Sequence, residues 1–175
     1  VLRTLRDWRL QGKNAVLATV TRTWGASPRP VGSLMALCET GSVVGSVSGG
    51  CIEDDLIARF ATWETFVTED GSARRPQWDC YGLSADEAHR FGLPCGGTLE
   101  LLLEFNADAV VLDQLVKQLE GGALVQRSID LASGRVTLTP AERPSALTVT
   151  KHEVKAVFGP GYRMLLIGAG QLTEY

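Results

Sequence analysis

Three short stretches join residues that do chemistry to the glycines and prolines that would shape a site around them. The first is Ser48-Gly49-Gly50-Cys51, where a strand-like run gives way to a helical one. Glycines let a backbone come close to a ligand, and the free amides at a helix start attract anions. A cysteine placed there has its thiolate favoured by the helix dipole. The set suits a phosphate-bearing group with a thiophilic metal nearby. Glu53 and Asp54 follow at once and oppose that use, since they repel an anion and raise a thiol pKa. A tight strand-to-helix turn with a small buried cysteine fits the same residues, and spacing leaves both readings open.

The second stretch, Pro94-Cys95-Gly96-Gly97-Thr98, repeats the composition of the first and leads into a strand. Folding could bring the two Cys-Gly-Gly loops to one cleft. The third is Ser27-Pro28-Arg29-Pro30-Val31-Gly32. Its prolines fix the backbone around one arginine, and a pre-positioned guanidinium clamps phosphate or carboxylate. A rigid loop whose arginine pairs with a surface acid is the competing reading. Cys51, Cys80, His89 and Cys95 lack the close ligand spacing of a zinc site, so no metal centre is expected.

The elements that must hold these loops follow from periodicity. Leu2, Leu5 and Trp8 recur at helical spacing, which predicts a helix over 2–11 stopped by Gly12. Residues 15–23 read as a strand, and 33–38 with 43–48 as a hairpin about Glu39-Thr40-Gly41-Ser42. A helix over 52–61 carries Ile52, Leu56, Ile57 and Phe60 on one face. Residues 63–68 read as a strand, 70–80 as irregular, and Ser84 to Glu87 as the capping box of a short helix. Beyond the second glycine loop come a strand over 98–105, a helix over 108–120 and a hairpin over 123–129 and 135–139. Two more strands are expected at 146–150 and 153–158. The fold expected is α/β, a mixed sheet with flanking helices, over residues 1–158.

The end of the chain differs. Gly159-Pro160-Gly161 reads as a linker, and 162–167 as a buried strand running into Gly168-Ala169-Gly170. That is how a Rossmann-type unit begins, so 162–175 is expected to open a second, truncated domain. Thr173 stands where a third glycine would complete the fingerprint, and no ribose-binding acid follows. No NAD site is therefore expected within these residues.

Bulk properties narrow the function. Of the 175 residues, 45% are hydrophobic and the net charge is -3, which argues for an ordinary core and against a nucleic-acid partner. No apolar run has the length of a membrane span, and residues 1–11 do not resemble a signal peptide. The four cysteines form no C-x-x-C pair and are expected as reduced thiols in a cytoplasmic protein.

Taken together, Ala18 to Gly32 (ATVTRTWGASPRPVG), Gly45 to Asp54 (GSVSGGCIED) and Leu93 to Thr98 (LPCGGT) resemble the XdhC/CoxI family of xanthine dehydrogenase accessory proteins. Leu165 to Tyr175 looks like the opening of that family's Rossmann domain. The resemblance implies a cytoplasmic chaperone, not an enzyme. Such a protein binds molybdenum cofactor (molybdopterin) transiently and protects it during sulfuration. It then delivers it to xanthine dehydrogenase or a related molybdenum hydroxylase. A cysteine desulfurase as sulfur donor and a homo-oligomeric state, often a dimer, are implied as well. Carried onto this chain, the cofactor-binding residues are Arg29, Ser48, Gly49, Gly50, Cys51, Cys95, Gly96 and Gly97. Two other classes compete. One is a thiol-dependent NAD(P)-linked oxidoreductase using Cys51 or Cys95; the other is an interaction module that touches the hydroxylase and never the cofactor.

Overall fold

The computed structural model describes residues 1–25, 29–60, 66–69, 74–82 and 98–161. The expected 63–68 strand falls partly on undescribed residues; the helix from Ser84 and the Rossmann-like opening at 162–175 lie wholly outside the described ones. In chain order come α1 (Leu2–Leu10), β1 (Ala15–Trp24), β2 (Leu34–Cys38), β3 (Val43–Gly45), α2 (Cys51–Arg59), β4 (Gln77–Tyr81) and β5 (Thr98–Phe105). There follow α3 (Ala109–Glu120), β6 (Val125–Asp130), β7 (Val136–Pro140), β8 (Thr148–Val149) and β9 (Glu153–Phe158).

The α/β class is as expected, and the strands divide between two sheets. One has the order β3-β2-β1-β5-β4 and the other β7-β6-β9-β8. Every described pairing is antiparallel, so the single mixed sheet of the expectation resolves into two sheets of one kind. Short hairpin turns join β2 to β3 and β6 to β7, and a strand that returns through so few residues can pair only antiparallel.

β1 is the keystone. Its first seven residues are all buried, because both faces of the first sheet are covered. Val16, Ala18 and Val20 point into the main core with Met35, Leu37, Leu99, Leu101 and Leu103. The apolar stripe of α2, Ile52, Leu56 and Phe60, closes that core. Phe60, Phe66 and Phe105 pack there as tilted and edge-on rings, the arrangement their quadrupoles favour. Ala15 and Leu17 face the other way, into a second cluster with Leu5 of α1 and Leu112 of α3. Farther along that face Leu102 meets Ile129 and Val154 of the second sheet.

The fold departs from the sequence reading in two places: the strand expected over 43–48 ends at Gly45, and an edge strand forms where none was expected. Residues 77–81, expected as irregular, form the edge strand β4, paired with β5 from Gln77↔Leu103 to Tyr81↔Leu99. Half-exposed edge residues need not alternate in polarity, so periodicity does not mark them.

Candidate functional site: a loop closed on its own carboxylate

The segment from Ser46 to Gly50 joins β3 to α2. Val47 is fully buried and anchors the loop in the core, Ser48 is buried, and Gly49 and Gly50 are exposed. Gly49 has φ +95, a left-handed conformation that glycine adopts without strain. The path brings successive backbone N–H groups toward one point, and the Glu53 carboxylate sits there. The amides of Val47, Ser48 and Gly49 donate to its Oε1 at 2.9, 2.8 and 2.9 Å. The amide of Gly50 donates to Oε2 at 2.9 Å. The Ser46 hydroxyl donates to Oε1 at 2.8 Å, and the Ser48 hydroxyl donates to Oε2.

Glu53 is the third residue of α2 after its N-cap, Gly50. A carboxylate at that position commonly reaches back to the N-cap amide. Burial pushes its pKa up, yet the bonds from the Gly49 amide, the Ser48 hydroxyl and the Ser48 and Gly50 amides outweigh burial. They hold the carboxyl well below the usual range, so it is an anion at physiological pH.

Arg29 belongs to the same network. Gly32 N–H donates to the Val20 carbonyl at 2.8 Å, and Val20 N–H donates to the Ser33 carbonyl at 2.9 Å, which docks the 29–33 segment on β1. From there Arg29 Nε donates to the Ser46 hydroxyl at 3.1 Å. Arg29 and Ser48 to Gly50 are thus linked through Ser46 and Glu53. Of Cys51 the backbone opens α2, while its side chain, like Cys95, Gly96 and Gly97, lies outside the described residues. Cys38 is buried at the last position of β2.

Two residues of the network escaped the sequence reading. As a sequence Glu53 is a charge that repels ligands, whereas in the fold it is the anion that the loop binds; Ser46 lies outside the Ser48–Cys51 motif. The spacing of glutamate three residues after the N-cap glycine carried the signal.

The outer face of α2 is tied to the sheet edge. Tyr81 donates its hydroxyl to Asp55 Oδ2 at 2.8 Å, and Arg59 bonds Asp79, Tyr81 and Asp55. Burial pushes the Tyr81 phenol above its ordinary range, and its bond to Asp55 adds to that, so it remains a donor. The helix that starts at Cys51 is therefore held at its first turn by Glu53 and at its last by Arg59.

Residues 8–75 match the XdhC and CoxI family model, a span that takes in the Arg29 and Ser48–Cys51 loops and ends before Cys95. Over 177 residues the chain is 29% identical to the molybdenum cofactor insertion chaperone PaoD of Escherichia coli strain K12, covering 96% of this chain and 50% of PaoD. A crystal structure of a Bacillus halodurans protein named as a xanthine dehydrogenase shares the fold, with TM-score 0.65 and 23% identity, over 91% of this chain and 52% of that one. The chain spans about half the length of both.

Proposed function

We propose, from the match of residues 8–75 to the XdhC and CoxI family model, that the chain is an accessory protein, and not itself a catalyst, that takes molybdenum cofactor as cargo. It holds the cofactor while a terminal sulfur ligand is installed and passes it to a hydroxylase of the xanthine dehydrogenase kind. A cysteine desulfurase supplies the sulfur, and the protein works in the cytoplasm as a homo-oligomer. The insertion role named for PaoD supports the first step. No described helix is long and apolar enough to cross a membrane.

The observation that carries the reading is the Ser48–Cys51 loop, pinned by Glu53 and bridged to Arg29. Among the described residues, and apart from each glycine's two chain neighbours, no atom lies within 4 Å of where a Cβ would stand on Gly49 or Gly50, so a bulky group can approach that backbone. Cys51 follows directly and would present sulfur to a thiophilic molybdenum. Cys95, Gly96 and Gly97, which lie outside the described residues, are the further cofactor-binding residues of this reading. The amides of 47–50 already serve Glu53, so Arg29 is the cation for the cargo's phosphate.

Titration of purified molybdenum cofactor into the full-length protein, followed by transfer to an apo-hydroxylase, tests this. Wild-type protein should retain the cofactor and restore hydroxylase activity. Cys51→Ala should lose retention or sulfuration while its stability changes by only about 1 kcal/mol. A wild-type protein that takes up no cofactor, or one that turns over NAD with a thiol substrate, would overturn the reading.

A further inference from the structure

We propose that Glu53 is the positioning residue of the Ser48–Cys51 loop: its carboxylate fills, from within the chain, the oxyanion cradle made by the amides of residues 47–50. It thereby fixes the backbone that leads into Cys51 and closes the cradle to outside oxyanions. What this means for cargo rests on the function proposed above; the cradle and its occupant do not.

Four consecutive amides converging on one point are the geometry by which backbone nests bind anions. A helix cap needs less. A glutamate at this position ordinarily reaches only the N-cap amide, whereas Glu53 also takes three amides before it and two hydroxyls. The extra donors belong to the loop, so the carboxylate orders the loop as well as the helix. Ser46 extends that order to a third segment, because its hydroxyl donates to Glu53 and accepts from Arg29 Nε.

The consequence is selectivity. A free phosphate, sulfate or molybdate would meet a carboxylate where a bare nest would meet it with amides. The flank of Gly49 and Gly50, open among the described residues, is left for the uncharged part of a ligand. A cysteine-bearing loop that ignores abundant small oxyanions can wait for a rarer and larger one.

Full-length Glu53→Ala and Glu53→Gln are compared with wild type in three measurements. Amide hydrogen exchange across residues 47–50 should be slow in wild type and faster by about tenfold or more in Glu53→Ala, with added acetate restoring protection. Inorganic phosphate should shift the loop amides saturably in Glu53→Ala and leave them unmoved in wild type. A residue that merely stabilised the fold would confer neither acetate rescue nor a new affinity for phosphate. Cofactor transfer to the apo-hydroxylase should fall in both variants. Glu53→Gln keeps the length of the side chain and one oxygen, so it covers the case in which Glu53→Ala does not fold. In Glu53→Gln we expect faster loop exchange in a protein that still folds cooperatively and melts below wild type at neutral pH. Slow loop exchange in both variants, or phosphate binding to the wild-type loop, would overturn the proposal. Fast exchange in both variants and phosphate gain in Glu53→Ala, with no cofactor uptake by wild type, would sustain the closed cradle and sink the cargo reading instead. Variants with fast exchange but full transfer would remove the positioning role.

Discussion

Glu53 is charged where burial alone would favour the neutral acid, because the donors around it exist only in the folded loop. Its folded pKa therefore lies below its unfolded one, and the sign of the pH dependence follows. The stabilisation is complete above the unfolded value, about 4.3, and fades as pH falls toward the depressed folded value. Glu53→Gln titrates nothing at this position. Wild type should melt above Glu53→Gln at neutral pH, and the gap should narrow as pH drops below about 4. Melting temperatures of both proteins across that range check this. A gap that stays constant would mean that the carboxylate charge adds nothing the amide cannot supply. The sequence alone shows the charge at position 53 and not the direction in which the backbone turns. It therefore suggests repulsion of a ligand, where the folded loop has already supplied the counter-donors.

The elements place the loop through a narrow passage at Gly45. It ends β3 opposite Met35 with φ +85, and a Cβ there would overlap the Leu34 carbonyl oxygen and lie 2.6 Å from Val1 Cγ2. The next residue, Ser46, donates its N–H to that same carbonyl at 3.1 Å and then turns its hydroxyl to Glu53. Gly45→Ala should therefore break the β2–β3 pairing and loosen the cradle, at a cost above about 2 kcal/mol. Urea unfolding with hydrogen exchange at Ser46 to Gly50 reads both effects, and a variant of wild-type stability with a protected loop would refute the claim. Local pattern is a good guide to such elements where one face is apolar. The stripe of Ile52, Leu56 and Phe60, the β5 span of 98–105 and the hairpin turns at Gly41 and Gly134 were all legible that way. It fails for β4, which is held by pairing with β5 and by the Tyr81–Asp55–Arg59 contacts, all made by residues distant in sequence. The division into two sheets is hidden for the same reason, since strand partners are chosen after hairpins meet.

At the scale of the molecule, the two sheets are joined, among the described residues, by apolar contacts around Leu102 and by one ion pair. Arg127 of β6 donates through both terminal nitrogens to the two oxygens of Glu104 on β5, and the side chains are 7% and 4% exposed. The bidentate geometry gives strong attraction, but both charges have left water. Arg127 Nε has no hydrogen-bond partner among the described residues, so the guanidinium is incompletely compensated. Such a pair is costly to break and cheap to replace. Glu104→Ala would strand the buried guanidinium between the sheets and should lower stability by about 3–5 kcal/mol. Glu104→Leu combined with Arg127→Met extends the apolar contact already made by Leu102, Ile129 and Val154. That double variant should be as stable as wild type or more so. A double-mutant cycle in urea settles the matter, using Glu104→Leu, Arg127→Met and the pair. If the double variant is as unstable as the worse single, the ion pair itself holds the sheets together. If it recovers wild-type stability, the pair sets only which residues face each other across the interface, and burial of Leu102, Ile129 and Val154 holds the two sheets as one body.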